Sequence, residues 1–242
     1  MRLAGLLLAV GLAGPATAEV LGARYESPTD VYGHGAVDGG EYAALTFRLS
    51  DGRELSAGTF RTVYEDTAPR LVDLDLDGSP EVVTVVSYFD AGAAIRIWDE
   101  IPSADHPEGT TMAVVAETAP IGTRHRWLAI AGAADLDGDG RIEIAYVDRP
   151  HLAKVLRIVE VRAAADGWSL VEEAAATGFT NHKYRDPNIE GGVRLCNTPE
   201  IITASADWTR VQASRLVNGA IVTRDVGPYT GPQSMTEQLD CS

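Results

Sequence analysis

Apolar and polar residues alternate along this chain in short strand-like runs, and no segment of any length shows the three-to-four spacing of an amphipathic helix. Four of these runs align: "GGEYAALTF" from Gly39, "SPEVVTVVS" from Ser79, "RIEIAYVDR" from Arg141 and "TPEIITASA" from Thr198. Each carries a glutamate followed by a short apolar, strand-like run, and the glutamates Glu41, Glu81, Glu143 and Glu200 are 40, 62 and 57 residues apart. Spacings of this size mark structural repeats with loop insertions. A second strand-like segment follows each copy. In three copies it is reached or closed by a hairpin dipeptide that accepts positive φ, at Asp51-Gly52, Asp166-Gly167 and Asn218-Gly219. The second copy has the polar insertion "IPSADHPEGT" instead.

The pattern predicts an all-β protein, a β-propeller-like array of about four antiparallel blades. A lone three- or four-stranded unit cannot bury both its faces, so the units must stack. The competing architecture is a β-sandwich, but a sandwich does not require the same glutamate and hairpin signal in every unit.

The N-terminus departs from this pattern. "MRLAGLLLAVGLAGPATA" has one early Arg, an apolar run from Leu3 to Leu12 and an Ala16-Thr17-Ala18 ending, the features of a cleavable export signal. The run is too short for a membrane anchor, which takes about 20 residues. The expected organisation is a signal peptide over 1–18 and one domain over 19–242, periplasmic or secreted, with no membrane insertion after cleavage. The chain has 20 basic and 35 acidic residues, a net charge of −15. That sign disfavours nucleic acid as a partner and suits a carrier of divalent cations. Its two cysteines, Cys196 and Cys241, are an even number in an oxidising compartment, so a single disulfide is expected.

Two repeats precede their glutamate with alternating aspartates. In nine-residue numbering the second copy reads Asp73, Asp75, Asp77, Gly78, Ser79, Glu81 at positions 1, 3, 5, 6, 7 and 9, and the third reads Asp135, Asp137, Asp139, Gly140, Arg141, Glu143. Calcium takes six to eight oxygens at about 2.3–2.6 Å, and alternate aspartates on a tight loop can converge on one point, with the carbonyl at position 7 as a further ligand. Glycine permits the sharp turn. Without a cation, the carboxylates would repel one another. An EF-hand is excluded, because position 12 is Thr84 or Tyr146 rather than Glu and a strand follows rather than a helix.

The stretches "LVDLDLDGSPEVVTV" and "AADLDGDGRIEIAYV" resemble the FG-GAP/VCBS repeat family, whose best-known members form the seven-bladed propeller of integrin alpha subunits. The resemblance implies calcium ligation by side chains at positions 1, 3, 5 and 9 and the carbonyl at 7. Here these are Asp73, Asp75, Asp77, Ser79 and Glu81, and Asp135, Asp137, Asp139, Arg141 and Glu143. This chain has Glu at position 9 where the integrin pattern has Asp, and four recognisable units rather than seven.

The outer copies lack the aspartates. Positions 1, 3 and 5 are Gly33, Gly35 and Val37 in the first and Gly192, Arg194 and Cys196 in the fourth, so the fourth loop is expected to be pinned by sulfur rather than metal. The five histidines, His34, His106, His125, His151 and His182, fall in different segments without zinc spacing, and neither a nucleophile elbow nor a phosphate-cradling glycine loop is present. The polar segment "GFTNHKYRDPNIEGG" from Gly178 reads as a crossover or as the lining of a binding face, and Trp98, Trp127, Trp168 and Trp208 read as blade-packing residues. The expected function is a non-catalytic, calcium-stabilised binding module for a protein or glycan. The alternative is a hydrolase or carbohydrate-active enzyme on the same scaffold.

Overall fold

The computed structural model describes residues 18–164 and 167–241. The expected export signal therefore lies outside the described residues except for Ala18, as does Asp166 of the expected Asp166-Gly167 turn.

The first unit contains β1 (Val20–Pro28), β2 (Glu41–Leu49) and β3 (Glu54–Gly58), and β4 (Thr62–Glu65) follows it. The second contains β5 (Arg70–Val72), β6 (Glu81–Tyr88), β7 (Gly92–Pro102) and β8 (Thr110–Glu117). The third contains β9 (Leu128–Ala134), β10 (Glu143–Asp148), β11 (Val155–Arg162) and β12 (Ser169–Thr177). The fourth contains β13 (Phe179–Thr180), β14 (Gly192–Arg194), β15 (Glu200–Ser205), β16 (Arg210–Val217) and β17 (Ala220–Pro228), and ends in a five-residue helix, α1 (Pro232–Thr236). The four repeat glutamates are the first residues of β2, β6, β10 and β15, at the position the alignment gave them. The protein is all-β with antiparallel sheets.

The units occupy three sheets. The third and fourth each have their own, while the first two share one in the order β1-β2-β4-β6-β7-β8. The cause is β4, which pairs with the start of β2 along one edge (Glu41 opposite Glu65) and with the end of β6 along the other (Tyr64 opposite Val86). All four of its residues are buried.

The repeat strands read as continuous apolar runs because both their faces are covered. Along β6, Val82 and Val86 face a cluster with Leu45, Phe47 and Trp98, whereas Val83 and Val85 join Ile95, Trp127 and Ile144 against the third unit. Along β10, Ile144 and Tyr146 face the second unit, and Ala145 and Val147 join Leu156, Ile201 and Leu216 against the fourth. The outer face of β15 packs Ile202 and Ala204 against Val211 and Met235 of α1. Burial of these side chains contributes roughly 1.5–3 kcal/mol each. Trp98 and Trp127 sit in the core as their spacing suggested. Trp168 packs against the edge of the central cluster, and Trp208 instead lies under the Lys183 ammonium, 4.3 Å from its ring centre.

The tail is fastened. Cys196 and Cys241 form the expected disulfide across a sequence separation of 45, with Cα atoms 5.7 Å apart. Met235 is fully buried, and Arg194 donates to the carbonyl of Gln238 at 3.1 Å. Replacing both cysteines with serine is expected to lower the unfolding free energy by about 4 kcal/mol, the chain-entropy value for a loop of this length. Guanidinium denaturation of the two proteins measures the difference.

Candidate functional site

The loop from β5 to β6 and the loop from β9 to β10 share four hydrogen bonds, and the second of them adds one from the Gly138 amide to Asp135 at 2.7 Å. Each repeat glutamate turns one oxygen back to the amide at position 2. Glu81 Oε2 accepts from Leu74 N at 2.7 Å, and Glu143 Oε2 accepts from Leu136 N at 2.6 Å. The leucines themselves are buried and anchor the loops. Position 1 accepts from the position 6 amide, as Asp73 from Gly78 at 3.1 Å and Asp135 from Gly140 at 3.0 Å. Both glycines have positive φ, 96° and 88°, which a side chain would strain. Position 3 accepts from position 5 at 3.2 and 3.1 Å, and position 5 from position 7 at 2.8 and 2.9 Å.

This folding brings carboxylate oxygens of Asp73, Asp75 and Glu81 within 4.8 Å of one another, and likewise those of Asp135, Asp137 and Glu143. Positions 1, 3 and 9 thus converge in both loops. Asp77 and Asp139 stand apart from the convergence: each accepts from the backbone N–H at position 7, and Asp139 also pairs with the Arg141 guanidinium at 2.9 Å. Ser79 and Arg141 enter the hydrogen bonding of the loops as amide donors.

Asp73 Oδ1 and Glu143 Oε1 are buried with no hydrogen-bond partner among the described residues. Burial, reinforced by the neighbouring aspartates, pushes Glu81 and Glu143 up to about 8, against the pull of the leucine amides. Asp99, next to the second loop, is pushed up to about 6 by the same causes. The loops therefore hold negative charge in short supply of positive charge, with oxygen donors only, and these clusters could hold a metal ion. A third cluster, Glu143, Glu160 and Glu173, adjoins the third-unit loop. There Arg141 and Arg162 already pair with Glu160.

The outer units satisfy the same glutamate differently. Glu41 accepts three successive amides, Gly33 at 3.0 Å, His34 at 2.7 Å and Gly35 at 3.0 Å. Glu200 pairs with Arg194 and, at 2.8 Å, with Arg224. Arg194 occupies position 3, where the two acidic loops carry Asp75 and Asp137.

Four of the histidines that look scattered in sequence meet where connecting segments of the first, third and fourth units converge. The rings of His34 and His125 stack with centroids 5.2 Å apart, and His151 Nε2 lies 2.9 Å from His182 Nδ1. Trp127 packs against the second pair, with its ring centre 4.7 Å from that of His182, and donates its indole N–H to the carbonyl of Glu65 at 2.6 Å. The buried Glu65 carboxylate lies 2.7 Å from His34 Nδ1. Segment 178–192 supplies the fourth-unit side: Tyr184 donates to the carbonyl of His34 at 3.1 Å, and Arg185 pairs with Val37 in a parallel bridge. The sequence held one signal for this grouping. His125 and His182 each stand 18 positions before their unit's glutamate (143 − 125 and 200 − 182).

His182 donates Nε2–H to the carbonyl of Asp186 at 2.8 Å, so in the neutral ring its Nδ1 accepts from His151 Nε2–H. Burial, with the nearby His182 and His34, lowers His151 to about 4, and burial lowers His182 as well. The folded state thus resists protonation that the unfolded chain accepts. This contribution to stability is fully present above about 6.5 and is lost as pH falls toward about 4. Between pH 7.5 and 5 the raised Glu81 and Glu143 act in the opposite sense but equally in both proteins, so the urea midpoint of the natural protein should fall relative to that of His151→Gln. No protein-family model and no curated protein matches this chain, so the chemistry of these sites alone bears on function.

Proposed function

We propose that this chain is an exported calcium-binding interaction module built of FG-GAP/VCBS-type repeats, its stacked units arranged as a propeller-like array that binds a protein or glycan without catalysis. The observation that carries the reading is the pair of loops with four shared hydrogen bonds, each gathering two aspartates beside a buried glutamate. Asp73, Asp75 and Glu81 would hold one ion and Asp135, Asp137 and Glu143 the other. An all-oxygen, carboxylate-rich donor set suits a hard cation rather than zinc. The disulfide and the leader-like N-terminus support a periplasmic or secreted location. The bridge between Val37 and Arg185, which joins the first unit to the fourth, supports a closed arrangement of the units.

The contact between His34 and Glu65 is the feature a hydrolase would use. The notch beside it, lined by His34, His125, His151 and Trp127, has room of only about 20 Å³, enough for about one water molecule. A rim of that kind favours binding over turnover.

Calcium bound only by the folded state raises its stability by mass action, about 2.7 kcal/mol per site at a hundredfold excess over the dissociation constant. Excess chelator added to calcium-loaded protein is therefore expected to lower Tm, and calcium but not zinc to restore it. Asp137→Ala should remove one of two bound ions, counted by equilibrium dialysis. A melting curve indifferent to chelator would refute the reading.

A further inference from the structure

The two acidic loops flank a cleft of about 670 Å³, whose remaining wall is formed by residues 161–164 at the end of β11 and by Trp168 just before β12. This volume is that of a small-molecule site. Its lining combines apolar surface with two arginines and Asp75, and the contacts that hold the fold do not fully account for three of its features.

Leu76 is the first. Position 4 of each loop takes positive φ, 63° at Leu76 and 87° at Gly138. The third unit meets that requirement with glycine, whereas the second places there a leucine that is 56% exposed and lines the cleft. A bulky residue in left-handed backbone, with its side chain in water, is disfavoured on both counts. Contact with an apolar ligand would account for it. Trp168 is the second feature: it packs against the edge of the central core cluster and also lines the cleft, beside Val161. The third is a pair of arginines. Arg162 uses Nε on Glu160, and Arg141 uses one terminal nitrogen on Asp139 and Glu160. Their other guanidinium nitrogens have no acceptor among the described residues, and the side chains are 50% and 56% exposed.

We propose that this cleft binds a small organic anion, an aliphatic or aromatic body carrying a carboxylate or sulfonate head, and does so when the flanking loops hold their cations. The apolar body lies between Leu76 and Trp168, and the head meets Arg141 and Arg162, whose forked donors suit a planar or tetrahedral oxyanion. The dependence on cations is electrostatic and rests on the calcium reading given above. Asp75 opens onto the cleft and Asp139 adjoins it, so empty loops would repel the head, while occupied loops leave the arginines as the dominant charge.

The probe is 8-anilinonaphthalene-1-sulfonate, titrated by fluorescence into the folded, calcium-loaded full chain with octanoate as competitor. Saturable binding of one dye per chain is expected, displaced by octanoate and weakened about tenfold or more by chelator. Arg162→Gln should weaken it about tenfold through loss of a charge-assisted contact. Leu76→Gly should weaken it at least about fivefold while Tm stays level or rises, because glycine fits the backbone there; a purely structural leucine would give a lower Tm instead. Dye binding that is not saturable, or an affinity indifferent to Arg162→Gln and Leu76→Gly, overturns the cleft. If chelator leaves Tm unchanged, the calcium reading fails; if Tm responds and the dye does not bind, the cleft alone fails.

Discussion

A buried glutamate opens the principal strand of every unit, and the rest of each unit is arranged around neutralising it. An ionised carboxylate out of water is costly unless paired or hydrogen-bonded. Glu41 solves the problem with three backbone amides and Glu200 with two arginines. Glu81 and Glu143 receive one amide each and face further carboxylates instead. The repeated position is thus a buried carboxyl group with three different kinds of partner: backbone dipoles, guanidinium groups and, on our reading, a divalent ion.

The same position controls where the chain turns. The glutamate pulls the amide at position 2 into its loop in the first three units, through His34, Leu74 and Leu136. This sets the entry of β2, β6 and β10 and hence the register of the sheets that follow. In the fourth unit the corresponding segment is a strand, β14, paired directly with β15. There Arg194 replaces the loop's acidic residue, and the disulfide with the packed helix holds the segment in place.

Stacking of the sheets has a second consequence. Because β6, β10 and β15 are covered on both faces, polar groups that cannot enter the core collect at the ends of the strands. One set of loops gathers carboxylates and the cleft between them. The connecting segments of the first, third and fourth units gather four of the five histidines and Trp127 beside Glu65. An apolar stack with polar loop clusters is a rigid frame for binding surfaces.

Strand content, the four glutamates and their loops, and the Cys196–Cys241 bridge are legible in the chain before it folds. Each of these is written in local spacing or in the absence of any other partner. Bonds between residues nine positions apart or fewer, such as Glu143 to Leu136, follow from loop geometry that a short motif specifies. The tertiary structure alone decided that β4 welds the first two units into one sheet, since its burial depends on strands on both sides of it. It also decided that Asp77 and Asp139 turn toward the position 7 amide instead of joining positions 1, 3 and 9, a choice made by backbone hydrogen bonds within the turn. Only tertiary structure, too, could bring His34 to His125 and His151 to His182. Their separations along the chain are large, and what joins them is the stacking of whole sheets, which no local period encodes.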